Sequence, residues 1–176
     1  GSYEAQKADA IYRFVQEGLR MGRAVMSHLT APYMQTLFAI ERNFTNESHF
    51  FIEILRFEEL ENGTLFGRIN PKSEVLPYLA DHFADRFAGE QWVIADTVHR
   101  TVLLHKANYK TVYLSMDEVD MDELTLTYSE DEKQLQKLWK LFVDTIAIKE
   151  RVNPKLLRQM LPLRFRKYMK EFSESE

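Results

Sequence analysis

The sequence predicts an α+β fold: an antiparallel sheet of about five strands, formed by a hairpin and a three-strand meander, with helices before, between and after. Three observations carry this. Apolar residues recur at the helical period in separate blocks, and short runs rich in β-branched and aromatic residues lie between those blocks. The last three such runs follow one another with only short polar turns between them. Parallel strands would need a crossover between each pair, so hairpin-linked strands are expected.

From Ala5 to about Ser27, Ile11, Phe14, Val15, Leu19, Val25 and Met26 keep a helical spacing, and Pro32 starts a second helix running to about His49. "FIEILRF" and "TLFGRIN" read as two strands joined at Asn62-Gly63, a pair that tolerates the positive φ angles of a tight turn. After Ser73, a predicted N-cap, Val75, Leu76, Leu79, Phe83 and Phe87 mark a third helix ending by Gly89. "QWVIAD", "RTVLLHK" and "KTVYLSM" supply the meander, with turns at Thr97 to His99 and Ala107-Asn108. Met116 to Glu132 holds eight acids and no base and reads as a solvated connection, with a short strand at "LTLTY". Ser129 and Glu132 have the form of a capping box opening a helix whose stripe is Leu135, Leu138, Trp139, Phe142, Val143 and Ile146. Asn153-Pro154 caps another short helix, and Pro162 separates it from a last one ending near Phe172.

At 176 residues, 45% hydrophobic, the chain can bury the core of one domain. Residues 1–2 read as a tag remnant, 3–172 as a single domain whose native N-terminal region is missing, and 173–176 as a disordered tail. No apolar run reaches the roughly 20 residues a bilayer requires, so a cytoplasmic protein without membrane contact is expected. Zero cysteines exclude disulfides, thiolate nucleophiles and cysteine-held zinc or iron–sulfur clusters.

The segment from Glu150 to Phe172 carries seven Lys and Arg residues in a chain of net charge −4. Placed on a helical wheel, Phe172, Tyr168 and Met169 fall within about 60° of Phe165, with Arg164, Arg166, Lys167 and Lys170 on the other side. Such an arm is anchored by its apolar face. The cations Arg151, Lys155, Arg158, Arg164, Arg166, Lys167 and Lys170 are then candidates to meet phosphate or an acidic partner, or to form a solvated face.

Reaction chemistry is less visible. None of the five histidines has metal-ligand spacing, so no metal and no cofactor are expected. Tyr78, His82, Asp85 and Arg86 share one helical stripe, suited to a substrate, a nucleic-acid backbone or plain solvent. Asp96 and Arg100 flank a turn, where an ion pair is the structural account.

"ERNFTNESHF", "LPYLADHFADRF", "WVIADTVHR" and "LWKLFVDTIAIKERVNPKLLRQMLPLRFRKYMKEF", in that order, resemble the domain-of-unknown-function 4130 family. The resemblance covers nearly all of the chain after the first helix, and its C-terminal stretch is the most specific part. It implies a bacterial protein of DNA metabolism or repair, encoded beside a radical S-adenosylmethionine (SAM) protein and sometimes fused to a uracil-DNA-glycosylase-like domain. It also implies a pattern of polar residues: His49, Arg56, His82, Arg86, Asp96 and Arg100, then Arg151, Asn153, Pro162, Arg164 and Tyr168.

The expectation that follows is an accessory protein of DNA repair or modification, not catalytic on its own. It would act with a radical SAM partner and bind nucleic acid through the basic arm, with His49, Arg56, His82, Arg86, Asp96 and Arg100 as a second polar site. Two alternatives stay open: a small hydrolase or glycosylase-like enzyme built on a His/Asp/Arg pocket, and a pure protein-docking module.

Overall fold

Two units make up the chain in a computed structural model that describes residues 2–118, 127–146 and 153–172. One comprises residues 1–51 and 71–75, the other residues 52–70 and 76–176.

The first unit opens with α1 (Lys7–Met21), which stops at Gly22. Gly22 has φ of 59°, a left-handed conformation that a residue with a Cβ resists, so the predicted helix to Ser27 becomes an α-helix followed by a 3-10 turn, Gly22–Ser27. Ala10 and Val25 are buried, whereas Ile11, Val15 and Leu19 of the predicted apolar stripe are exposed. Next comes α2 (Pro32–Ile54), five residues longer than expected. "FIEIL" is therefore helix and not strand. Glu47, Ser48 and Phe51 are buried at helical spacing, and extending a helix adds a hydrogen bond per residue without a new nucleation step. The Glu47 carboxylate, 4% exposed, accepts the amide N–H groups of Lys72 and Ser73 at 2.9 and 3.0 Å, which fastens segment 71–75 to α2.

In the second unit β1 (Phe57–Glu59), β2 (Leu65–Ile69), β3 (Trp92–Asp96), β4 (Thr101–His105) and β5 (Val112–Ser115) lie side by side in chain order. The β1–β2 hairpin turns at Gly63, φ 77°, with the Thr64 amide bonded to the Asn62 side chain. Pairs β1–β2, β3–β4 and β4–β5 are antiparallel, but β2 and β3 run parallel, with Leu65 opposite Trp92 and Ile69 opposite Asp96. The sheet is mixed, which corrects the all-antiparallel expectation. Helix α3 (Leu76–Arg86) lies between β2 and β3 in the chain, and this helical crossover returns the strand in the same direction.

Strand alternation gives the sheet two different faces. On one, Phe57 and Trp92 meet Phe83 of α3 with ring centroids 5.3 and 6.3 Å away, and His105 stacks on Trp92 at 4.9 Å. On the other, Leu60, Phe66, Val93, Ala95 and Val102 form a buried cluster, joined by Leu104, Met116 and Tyr128.

Helix α4 (Glu130–Ile146) begins with half of the predicted capping box. The Ser129 hydroxyl accepts the Glu132 amide, but the Glu132 carboxylate turns to the amide of Glu59 on β1. The stripe Leu135, Leu138, Trp139, Phe142 and Ile146 remains 43 to 60% exposed, where its pattern predicts burial. Asn153 caps α5 (Pro154–Met160) as expected, its side chain accepting the Leu156 amide. The predicted last helix is instead two 3-10 turns, Leu163–Tyr168 and Lys170–Phe172, whose amides reach back three residues. Phe165 and Met169 are nevertheless buried, 6 and 7% exposed. Of the predicted strand "LTLTY", Tyr128 bridges Leu60, while residues 124–126 lie outside the described residues, as does the predicted tail at 173–176. Among the described residues no helix is long and apolar enough to cross a membrane.

Candidate functional site

The C-terminal turns meet the sheet through Lys170 and the ring of Tyr168. Glu58, at 8% side-chain exposure, points from β1 toward Arg68 of β2 at 3.4 Å and toward Lys170 at 2.6 Å. Arg68 also donates to the Tyr128 hydroxyl at 3.0 Å, and its guanidinium lies 5.1 Å from the Tyr168 ring centroid. Burial, followed by the neighbouring Glu58 carboxylate, pushes the Tyr128 hydroxyl up to about 12, against a smaller opposing effect of Arg68. Asn70 adds a bond to the Arg164 carbonyl at 2.9 Å.

A different pair of cations lines open space. The link between α2 and β1 carries Arg56, and α3 ends on Arg86; both line a pocket of about 360 Å3 with Phe57, Phe83, Phe87 and Glu53. Phe57 stands edge-on to Phe83 and Phe87 at 5.3 and 5.2 Å, so the aromatic wall is rigid. Arg86 rests its guanidinium 5.4 Å from the Phe87 centroid. Among the described residues no carboxylate lies within ion-pair distance of Arg56 or Arg86. Arg56 and Phe57 also border a second cavity, about 280 Å3, with Glu58, Trp139 and Lys170 on its wall.

At the carboxyl end of β3, Asp96 is wholly buried. One of its oxygens accepts the amides of Val98 and His99; the other accepts from His99 Nδ1 at 2.7 Å. Because a carboxylate only accepts, this bond places a proton on Nδ1, and in the neutral ring Nε2 is then the acceptor nitrogen. Thr97 Oγ1 and the Tyr168 hydroxyl are 2.9 Å apart beside this turn.

A family model described as a domain of unknown function, DUF4130, matches residues 5–171. The chain belongs to the DUF4130 family. No curated protein and no solved structure matches it.

The residues that the DUF4130 pattern suggested as one polar site go to several places. Arg56 and Arg86 share a pocket. His82 sits edge-on to Phe83 at 5.0 Å, with its Nε2 buried and without a hydrogen-bond partner among the described residues. Asp96 pairs with His99 and not with Arg100, which corrects the predicted ion pair; Arg100, at φ 55°, turns to Asp117 at 2.6 Å. The turn over residues 97–99 brings the Val98 and His99 amides and the His99 ring back to the Asp96 carboxylate, and the positive φ of Arg100 then leads the chain into β4. His49 is exposed on α2 in the first unit.

The arm divides similarly. Arg151 lies outside the described residues. Lys155 and Arg158 are exposed on α5. Arg166 bends back to donate twice to the Leu161 carbonyl, at 3.0 and 2.8 Å. Arg164 stacks at 4.3 Å on the ring of Phe165, and Lys167 lies 5.0 Å from that of Tyr168. Lys170 is bound to Glu58. Sequence reasoning passed over His99, although Asp-x-x-His at the end of a strongly apolar strand was a usable signal. It also passed over Glu58 and Arg68, for which strand alternation alone gives no warning of burial. Among the described residues no group of three or more His, Asp or Glu is placed to hold a metal ion.

Proposed function

We propose that this DUF4130 protein binds the phosphates of nucleic acid at the Arg56–Arg86 pocket, as an accessory component of a bacterial DNA repair or modification system. The observation that carries this reading is the convergence of two guanidiniums, from separate elements and without a carboxylate partner among the described residues, on one aromatic pocket. Guanidinium groups match phosphate oxygens in fork geometry, and aromatic walls receive unstacked bases. The exposed Lys155 and Arg158 of α5 would extend the contact. Without cysteine the chain cannot ligate an iron–sulfur cluster, so cluster chemistry in such a system falls to a radical SAM partner.

Fluorescence anisotropy with single-stranded DNA at several salt concentrations tests the reading. Binding is expected to weaken with salt at a log–log slope of about −0.7 per phosphate engaged. The double substitution Arg56→Ala with Arg86→Ala should lower the slope by one to two such steps. Binding unchanged by both substitutions would refute the pocket as the phosphate site.

Asp96 and His99 favour a second reading, a small DNA-processing enzyme in which His99 Nε2 takes the proton from an attacking water. Hydrolysis or base release that disappears in His99→Gln and survives in Arg86→Ala would favour it over the accessory role.

A further inference from the structure

The Arg56–Arg86 pocket contains one group that a site for phosphate alone has no use for. Glu53 lines it with the two arginines, and among the described residues no cation lies within ion-pair distance of its carboxylate. A carboxylate repels phosphate. It accepts hydrogen bonds and cannot donate them while ionised, so it suits a neutral N–H donor on the same ligand. The remaining wall, Phe57, Phe83 and Phe87 with Ile52, Leu55 and Leu65, offers apolar contact to a flat ring. Cations, an isolated acceptor and phenyl groups thus surround about 360 Å3, the lower end of the size range of small-ligand pockets.

We infer that the pocket takes a single unstacked nucleotide whose base carries an exocyclic amine, with its phosphate on Arg56 and Arg86 and its amine donating to Glu53. The inference rests on the phosphate-binding reading above and narrows it. Cytosine, adenine and guanine present such an amine; thymine has none, and its single N3–H is flanked by two carbonyl oxygens that would face the carboxylate. A base paired in a duplex has its ring faces stacked and cannot enter.

The experiment compares short oligo-dC, oligo-dT and a dC·dG duplex of equal length, by anisotropy at fixed salt, on the intact protein. Oligo-dC is expected to bind about tenfold more tightly than oligo-dT and than the duplex, the scale of one charge-assisted hydrogen bond. Glu53→Gln should bring the dC-to-dT ratio toward one, because an amide both donates and accepts. Arg56→Ala with Arg86→Ala should weaken dC and dT together. Equal affinity for dC and dT, or for strand and duplex, combined with loss in the arginine variant, would overturn the nucleotide inference and leave the phosphate reading standing. Binding that the arginine variant retains would overturn both. All three residues are exposed, so a thermal melt is expected to show each variant folded.

Discussion

The Lys170 ammonium lies 2.6 Å from the carboxylate of Glu58, joining the last 3-10 turn to the first strand of the sheet. Arg68 approaches the same carboxylate from β2 at 3.4 Å, so one nearly buried acid meets two cations. Neutralising it takes that negative charge away from both. Glu58→Gln is expected to lower stability by about 2 kcal/mol in urea unfolding, and to expose the C-terminal turns to limited proteolysis before the sheet.

Tyr128 adds a pH dependence to this cluster. Its hydroxyl is raised from 10 to about 12, chiefly by burial. A raised folded-state value for an acid that is neutral when protonated contributes stability fully present below pH 10 and lost as pH climbs toward 12. The group is only partly buried, so after allowance for solvent screening its contribution is about 1 kcal/mol. The stability difference between the wild type and Tyr128→Phe should therefore hold steady up to pH 10 and shrink between 10 and 12, as read from denaturant midpoints.

Asp96 organises the turn after β3 through two amides and one imidazole. Asp96→Ala would strand those donors at a site of zero exposure, and a loss of about 3 kcal/mol is expected. Asp96→Asn, which keeps an acceptor oxygen for the amides, should cost less than half as much. Equal losses in the two variants would show that charge, and not hydrogen bonding, holds the turn.

The apolar stripe of α4 gives the opposite expectation. Leu138 and Phe142 are 60 and 52% exposed. Leu138→Gln and Phe142→Gln should each shift unfolding by no more than about 0.5 kcal/mol while reducing the binding of a hydrophobic dye. A loss of 2 kcal/mol or more would place those side chains in a core.

What the residues determined on their own was local. The Asn62-Gly63 turn, the Asn153 cap, the three strands of the meander and the helical character of α1, α3 and α4 follow from φ preferences, side-chain hydrogen bonds to nearby amides and periodicity, all of which act over a few residues. Tertiary structure decided what depends on neighbours distant in the chain. It set β3 parallel to β2, carried α2 through "FIEIL", and converted the last helix to 3-10 turns as Tyr168 and Lys170 found Arg68 and Glu58. The same holds for the candidate site. Arg56 and Arg86 are thirty residues apart, and nothing in their spacing pairs them; a shared aromatic wall of Phe57, Phe83 and Phe87 does, because rings drawn together by burial bring along the charged residues beside them.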